Sequence, residues 1–435
     1  MTAVFYRDTN HSYPLAVTAN GMYINDEKGK AYLDMCGGAA VSCLGHQHPD
    51  IIAALKAQIE IMSFAHTAFF SSEPQERLAA ALCEKYGEAG AKAYFTAGGS
   101  EANETALKLS WQYWQAKGYP EKTKIISRQC SYHGNTLGAL SVSGNTARRS
   151  PVEGLLHDWP RIEPCYAYRY QRGDETDAEY GTRSALFLED AIIAAGPETV
   201  AAFIAEPVVG ASLGAVAATI GYFKEIRAIC DRYDVLLIAD EVMCGTGRTG
   251  SFFAHEQEAF LPDIVTLAKG LGGGYQPLAA TIARAYVVEA FEVKSFSHGH
   301  TYVGHAAACA AGLAVLDTID RHQLLQAVAV QGEKLKLAVT ETFAEHPNVG
   351  DIRGRGLFQA IELVADRGSK MPFQNGAAIA ARLRHCSMEN GIMVYPSGSI
   401  DNCHILLAPP FIMEDQHIDE AMERLKLALT EVFGA

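Results

Sequence analysis

The stretch Ile264-Val-Thr-Leu-Ala-Lys-Gly-Leu-Gly-Gly-Gly-Tyr275 joins a short, largely apolar run to a lysine and a series of glycines. Such a run, ended by glycines, predicts a strand that is buried on both faces, as strands of parallel sheets are. Lys269 would then follow the carboxyl end of the strand, at the edge where open α/β sheets bind ligands. A buried lysine amine there can act as a nucleophile toward aldehydes, whereas a surface lysine beside a glycine loop is the simpler alternative.

Similar runs precede this stretch, so the strand at Ile264 has potential partners. They are Ala93–Thr96, Lys124–Arg128, Val200–Ala205 and Val235–Ala239. Amphipathic segments separate the runs, and in the first of these segments Ala102, Ala106 and Leu109 fall on one face of a helix. This alternation of strands and helices predicts an α/β fold around a mostly parallel sheet.

The two ends of the chain follow a different pattern. Residues 21–34 suggest a hairpin, and the long helical patterns after residue 310 are interrupted by residues 353–363. We expect these parts to form one smaller α+β domain. The predicted division gives residues 1–50 to the N-terminal part of the small domain, 51–312 to the large domain and 313–435 to the C-terminal part of the small domain.

Composition and charge disfavour several classes of function. The chain has 435 residues and a formal net charge of -14, which argues against binding to nucleic acid or to anionic membranes. It has no apolar run of about 20 residues, and its first residues lack the pattern of a secretion signal. Its 10 cysteines include no Cys-x-x-Cys pair. We therefore expect a cytoplasmic enzyme of two or more packed units with reduced thiols.

Carboxylates follow two of the predicted strands. Asp240 comes directly after Val235–Ala239, and Glu206 comes directly after Val200–Ala205. A carboxylate at this edge can bind a metal, a ribose or a protonated ring nitrogen, or it can simply cap the end of the strand. For pyridoxal phosphate the need is specific, because a carboxylate must keep the pyridine nitrogen protonated so that the ring can accept electrons.

Two further loops at the same edge add a possible phosphate site and an aromatic ring. Gly98-Gly99-Ser100 opens a predicted helix whose first N–H groups and dipole would favour a phosphate, although Ser100 also fits an ordinary N-cap. Tyr132, which precedes His133, can stack on a planar ring or can simply pack half-buried. An amine, a carboxylate, an aromatic ring and a phosphate loop together match the needs of pyridoxal phosphate.

Other ligands fit the sequence less well. His46, His48, His298, His300 and His305 form no His-x-x-x-His pair with a neighbouring glutamate, so no metal site is predicted. No Walker sequence is present, which argues against an enzyme that binds nucleoside triphosphates.

In this order, the motifs resemble those of the class III aminotransferases, the ornithine, ω-amino-acid and amine–pyruvate group of fold-type I pyridoxal-phosphate enzymes. The likeness covers nearly the whole chain. The stretches that carry it are Gly29-Lys-Ala-Tyr-Leu-Asp34, Leu44-Gly-His-Gln-His-Pro49, Tyr132-His-Gly-Asn-Thr136, Ala239-Asp-Glu-Val242, Thr246-Gly-Arg-Thr-Gly250, Leu267-Ala-Lys-Gly-Leu-Gly-Gly-Gly-Tyr275, Gly299-His-Thr-Tyr302 and Leu407-Ala-Pro-Pro410. The resemblance implies a large, mostly parallel α/β domain, a smaller α+β domain from both termini, and a homodimer or dimer of dimers with active sites at the interface.

The resemblance also implies roles for individual residues. Lys269 would bind the cofactor covalently and move the substrate proton, and Asp240 would pair with the ring nitrogen, so these two are the expected catalytic residues. Tyr132 would stack on one face of the ring and Val242 would press on the other. The remaining expected cofactor-binding residues are Gly98, Gly99, Ser100, His133, Glu206 and Thr301, of which Thr301 would reach the phosphate of the neighbouring subunit.

Two departures from the family bear on the substrate. Ornithine- and 4-aminobutyrate-type members have an arginine two residues before Ala-Pro-Pro and a glutamate that gates it. Leu406 and Ala211 occupy those positions here. The loss of both predicts transfer of an amino group from an amine or ω-amino acid to a keto acid, with pyruvate rather than 2-oxoglutarate as the acceptor. Arg353 and Arg355 are candidates for binding the acceptor's carboxylate, although arginines near a strand more often face solvent.

Three alternatives remain open at this point. A decarboxylase or an aminomutase of the same fold would share all the cofactor residues, because fold does not determine reaction. An aminotransferase that uses 2-oxoglutarate is the second alternative. A scaffold protein without activity is the third, and the presence of both Lys269 and Asp240 argues against it.

Overall fold

A computed structural model of the chain describes residues 3–9, 11–292, 294–399 and 402–434. The strands are β1 (Ala16–Asn20), β2 (Tyr23–Asp26), β3 (Ala31–Asp34), β4 (Lys92–Thr96), β5 (Lys124–Arg128), β6 (Arg161–Ile162), β7 (Val200–Ala205), β8 (Val208–Val209), β9 (Val216–Ala217), β10 (Leu236–Asp240), β11 (Ile264–Leu267), β12 (Ala279–Ala283), β13 (Val349–Arg355), β14 (Phe358–Leu363), β15 (Ile392–Met393), β16 (Tyr395–Gly398) and β17 (Cys403–Leu407).

The helices lie between and around these strands. They are α1 (Gly37–Ala40), α2 (Pro49–Ile61), α3 (Glu73–Tyr86), α4 (Gly99–Ala116), α5 (Leu137–Ser141), α6 (Thr146–Arg149), α7 (Ala167–Tyr170), α8 (Asp177–Ala195), α9 (Tyr222–Arg232), α10 (Ala285–Glu289), α11 (Ala306–Arg321), α12 (Leu324–Phe343), α13 (Gly376–Glu389) and α14 (Asp415–Phe433). Short 3₁₀ turns cover Ser150–Leu155, Pro197–Thr199, Ala254–Glu258 and Lys269–Leu271.

The central sheet has seven strands in the order β4-β12-β11-β10-β7-β5-β6. Strands β11, β10, β7, β5 and β6 pair in parallel, and β12 is antiparallel to both of its neighbours. The five strands predicted from the sequence are all present, each within one residue of its expected bounds. Because all five point the same way, their carboxyl ends meet at one edge of the sheet. The reversed strand β12 and the two-residue strand β6 were not predicted.

Alternate residues of each central strand face opposite sides of the sheet, and both sides are covered. Phe203 and Leu237 belong to a core on the side of α3, α8 and α9, whereas Ala202 and Leu236 belong to a second core on the side of α4. This two-sided burial explains why the strands appear in the sequence as continuous apolar runs.

A smaller α+β part is built from both ends of the chain. Strands β1, β2 and β3 form an antiparallel sheet, and β15 adds to it in parallel through the pairing of Ile392 with Leu33. A second sheet, β13-β14-β17-β16, is antiparallel throughout. A third apolar core joins these sheets to α12, α13 and α14. The predicted domain boundaries stay predictions.

Within the part of the chain that the structure describes, no helix is both long and apolar enough to span a membrane. In the described part of the chain, no disulfide joins any of the ten cysteines, and eight of them are buried.

Candidate active site

A cavity of about 350 Å³ lies at the carboxyl edge of the central sheet. Nine of the ten residues predicted to bind a cofactor line it: Gly98, Gly99, Ser100, Tyr132, His133, Glu206, Asp240, Val242 and Lys269. They come together because each follows the end of a strand that points toward this edge. Gln276, Pro277 and Leu278, which precede the reversed strand β12, also line the cavity and were not predicted.

Lys269 begins a 3₁₀ turn directly after β11 and has a left-handed φ of +47°. A residue other than glycine costs roughly 1–3 kcal/mol in that region, and such residues concentrate at active sites. Burial lowers the pKa of its amine below the ordinary lysine value, and the carboxylates of Asp240 and Glu206 oppose this shift in part. Among the described residues the amine has no hydrogen-bond partner. Lys269 therefore offers an amine that loses its proton more readily than an exposed lysine does.

Asp240 is the last residue of β10 and is buried. Its Oδ2 accepts hydrogen bonds from Nδ2 of Asn103 and from Nδ1 of His133, each at 2.8 Å. Its Oδ1 accepts the backbone N–H of Val242 at 3.0 Å. These donors hold the carboxylate in one orientation, and Oδ1 keeps a lone pair for a further donor in the cavity. The bond to Asp240 also assigns the Nδ1–H tautomer to His133.

Asn103 is a site residue that the sequence analysis missed. It lies on α4, is 1% exposed and lines the cavity. Besides the bond to Asp240, its Nδ2 donates to the carbonyl of His133 at 2.6 Å, and its Oδ1 accepts from Oγ1 of Thr266 at 2.8 Å. One amide therefore joins α4, the loop after β5, β10 and β11. The sequence contained one sign of this role: Asn103 directly follows Ala102, which lies on the apolar face of the predicted helix.

Glu206, which follows β7, links two loops of the cavity wall. Its Oε1 accepts the backbone N–H of Tyr132 at 3.2 Å, and its Oε2 accepts that of Gly210 at 2.8 Å. Burial raises the pKa of this carboxyl group above its usual value. Glu206 thus sets the position of Tyr132 relative to the cavity.

Close contacts set the shape of the cavity at the start of α4. A Cβ added to Gly99 would lie 2.7 Å from Cγ1 of Val242, and one added to Gly134 would lie 2.7 Å from Oγ of Ser100. Ser100 Oγ accepts the backbone N–H of Asn135 at 3.0 Å, so the hydroxyl still has its own proton to donate. A helix N-terminus with a free hydroxyl donor favours an anion such as a phosphate.

Part of the cavity wall is apolar. Leu406 is fully buried in one cluster with Val208 and Met243, and Ala211 packs against that cluster. Ala211 and Met243 also line the cavity. Side chains without charge therefore stand at both positions where ornithine- and 4-aminobutyrate-type enzymes have an arginine and a glutamate.

The arginines considered for the acceptor's carboxylate are bound elsewhere. Arg353 pairs with Glu362 at 2.7 Å and with Asp351 at 3.0 Å, and Arg355 pairs with Glu258 at 2.5 Å. Neither arginine lines the cavity. The suggestion that they bind the substrate is therefore wrong, because each already pairs with a carboxylate of this chain away from the cavity.

Thr301 is exposed and does not line the cavity of its own chain. The other nine predicted cofactor-binding residues line the cavity, and Thr301 alone of the ten lies outside it. Its expected contact was with a neighbouring subunit, and that expectation stays a prediction.

None of the five histidines that were weighed as metal ligands lines the cavity. One ligand atom from each of His48, Asp50 and His322 comes within 4.8 Å of the others, and Asp50 also pairs with Arg321 at 2.9 Å. The absence of a bound metal stays a prediction.

Comparison with known proteins is consistent with this geometry. The profile of the family Aminotransferase class-III matches residues 5–429. An uncharacterized aminotransferase of Schizosaccharomyces pombe is 44% identical over 99% of this chain and 96% of its own length. The diaminobutyrate–2-oxoglutarate transaminase of Halomonas elongata is 37% identical over 95% of this chain and 90% of its own length. The crystal structure of the ω-transaminase from Pseudomonas jessenii in complex with PMP superposes with a TM-score of 0.92 at 34% identity, over 97% of this chain and 93% of that one.

Proposed function

The chain belongs to the class III aminotransferases, which use pyridoxal phosphate, and from this premise we propose that it moves an amino group from an amine or an ω-amino acid to pyruvate. The family and the fold-type I architecture expected from the sequence are confirmed. The observation that carries the choice of substrate is the lack of charge at Leu406 and Ala211. Ala211 lines the cavity, and Leu406 is buried in the apolar cluster against which Ala211 packs.

The cavity has the chemistry that pyridoxal phosphate needs. Its volume of about 350 Å³ lies in the usual range for small-ligand sites, roughly 300–1,000 Å³. We propose that Lys269 binds the aldehyde carbon, Asp240 pairs with the ring nitrogen, and Tyr132 and Val242 contact the two faces of the ring. Gly98, Gly99 and Ser100 would hold the phosphate, with His133 and Glu206 fixing the groups around the ring. When bound, the cofactor supplies an electron sink for negative charge on the substrate carbon.

Lys269 is also the group that we propose moves the proton. Nζ would become a free amine once the donor's amine replaces it at the aldehyde carbon. Because burial lowers its pKa, Nζ could then be neutral and take the proton from the carbon that bears the amino group. In the second half of the reaction, Nζ would deliver a proton to the carbonyl carbon of the acceptor as that carbon receives the amino group. Asp240 contributes by orientation, since its three donors leave it little freedom to turn away from the cavity.

A half-reaction assay tests the choice of acceptor. Alanine is the amino form of pyruvate and glutamate is that of 2-oxoglutarate, so each is mixed separately with the purified enzyme and cofactor. We expect alanine to convert the bound cofactor, seen as loss of its absorbance near 400–430 nm, about ten-fold faster than glutamate. Rapid conversion by glutamate with none by alanine would refute the proposal.

A second candidate is an aminotransferase that uses 2-oxoglutarate. The observation in its favour is the similarity to the Halomonas elongata enzyme, whose name includes that acceptor. The same assay separates the two candidates.

We also propose that the enzyme is a homodimer whose subunits share the active sites. Phe69 and Phe70 are 79% and 68% exposed in the single chain, and exposed aromatic pairs of this kind are typical of interfaces. Thr301 is exposed as well, as a residue that reaches into a partner's site would be.

A further inference from the structure

A second cavity of about 580 Å³ lies beside the first. The two cavities share Tyr132 and Ala211 as wall residues, so a molecule longer than the first cavity can extend into the second. This space was not predicted from the sequence, because its walls come from the N-terminal segment, from α6 and its neighbours, and from β16 with the residues that adjoin β16 and β17.

The charges along this second cavity are of one sign in the described part of the chain. Arg7 and Arg148 line it, and no described aspartate or glutamate does. Neither guanidinium has an ion-pair partner among the residues that the structure describes. Burial raises the pKa of Tyr132, and the charges on Arg148 and Arg7 oppose that rise, so both lie within electrostatic range of the shared tyrosine. Two unpaired guanidinium groups at a cavity attract an anion.

Arg148 lines this cavity, and a helix cap fixes its backbone. Asn145 caps α6 by accepting the backbone N–H of Arg148 at 3.2 Å. The next residue, Arg149, is buried and donates to the carbonyls of Leu140 and Ser141 at 2.9 and 2.8 Å. Adjacent arginines thus have different roles, since Arg149 anchors the short helix and Arg148 remains available to a ligand.

A buried hydroxyl in the same wall lacks a partner. Ser212 is 7% exposed, lines the second cavity, and its Oγ has no hydrogen-bond partner among the described residues. The carbonyl of Ser212 accepts from Nδ2 of Asn402 at 3.2 Å, which fixes this part of the wall. A buried hydroxyl without a partner is unfavourable, and a ligand oxygen would accept its proton.

We infer that the second cavity binds the carboxylate at the far end of an ω-amino acid donor, with Arg148 as the principal contact and Arg7 and Ser212 as further donors. This inference rests on the proposed function, since it assumes that the amino end of the donor lies in the first cavity. The apolar wall of the first cavity offers the carboxylate no charged partner, so recognition of the acid falls to the second.

Arg148→Gln tests the inference through a change of specificity. With pyruvate as the acceptor, 4-aminobutyrate and 6-aminohexanoate are compared with butylamine and hexylamine, which lack the carboxylate. We expect kcat/KM for the better of the two acids to fall about ten-fold or more, mainly through KM, and kcat/KM for the amines to change less than about two-fold. Arg367→Gln is the matched control, because Arg367 is exposed and lines neither cavity.

A binding measurement separates failure of this inference from failure of the proposed function. Hexanoate has no amine and cannot react, so calorimetry on the holoenzyme reports carboxylate binding even if no donor turns over. Weaker hexanoate binding in Arg148→Gln than in Arg367→Gln supports the site. Equal binding in both variants, or an equal loss of activity toward acids and amines, overturns it. If inorganic phosphate bound the holoenzyme as tightly as hexanoate and displaced it, the cavity would be a general anion site. That result would also overturn the assignment to a carboxylate.

Discussion

Replacement of Asn103 by alanine tests whether this amide holds the site together. The amide nitrogen donates to Asp240 and to the carbonyl of His133, and the amide oxygen accepts from Thr266. Asn103→Ala leaves the carbonyl of His133 and the hydroxyl of Thr266 without these partners. Each unsatisfied buried group costs roughly 1–3 kcal/mol, and Asp240 loses one of its donors as well. We therefore expect the free energy of unfolding of the apoprotein to fall by about 3–5 kcal/mol.

The same substitution should weaken cofactor binding. A hydrogen bond to a charged group contributes roughly 1.5–3 kcal/mol, so the loss of one donor to Asp240 corresponds to about a ten- to hundred-fold weaker affinity. Urea unfolding of the apoprotein, followed by circular dichroism, measures the first effect. A titration with pyridoxal phosphate, followed by absorbance, measures the second in a protein that still folds.

Ser110→Ala is the control for this experiment. Ser110 is buried on the same helix, but its hydroxyl donates only to the carbonyl of Ala106 at 2.8 Å and does not reach the cavity. We expect this variant to lose about 1 kcal/mol or less and to bind the cofactor normally. If Asn103→Ala behaved like Ser110→Ala in both measurements, the amide would not be the link between helix and carboxylate.

Two further predictions concern pH. Lys269→Met should stabilise the apoprotein at neutral pH, because the folded state then no longer buries an amine whose pKa is lowered. The free energy of unfolding of the wild type should rise as the pH rises toward the ordinary lysine value of 10.5. Urea unfolding of the variant at the same pH values should lack this gain. Burial lowers the pKa of His404 from 6.5 to about 4, so the unfolded chain takes up a proton at a higher pH than the folded one does. The wild type should therefore lose about 3 kcal/mol through this group as pH falls from 6.5 to 4, and an equally steep loss in His404→Gln would contradict the assignment.

The sequence predicted the central strands well because their burial depends on a short local pattern. Asp240 and Lys269 could be found for the same reason, since each follows a recognisable apolar run at a known edge of such sheets. The reversed strand β12 was missed because its small residues, Ala279–Ala283, give a weak apolar signal next to the glycine segment.

The partners of these residues could not be predicted in the same way. Asn103 and Asp240 are 137 positions apart, and no local pattern relates a helical asparagine to a particular strand end. The prediction that Arg353 or Arg355 binds the acceptor's carboxylate failed for a related reason. Arg353 stood out beside a strand, but its carboxylate partner Glu362 becomes evident only when β13 pairs with β14. The unpaired Arg148 lies on the short helix α6, in a stretch of sequence that carries no motif.

The pairing of β15 with β3 has a consequence for biosynthesis. Leu33 leaves the ribosome early, whereas Ile392 follows roughly 360 residues later, which takes about 20–70 seconds at ordinary rates of translation. The N-terminal hairpin must therefore stay soluble without its last strand for most of that time. Truncated chains that end before Ile392 expose this open edge, so premature termination yields a product with a strand available for aggregation.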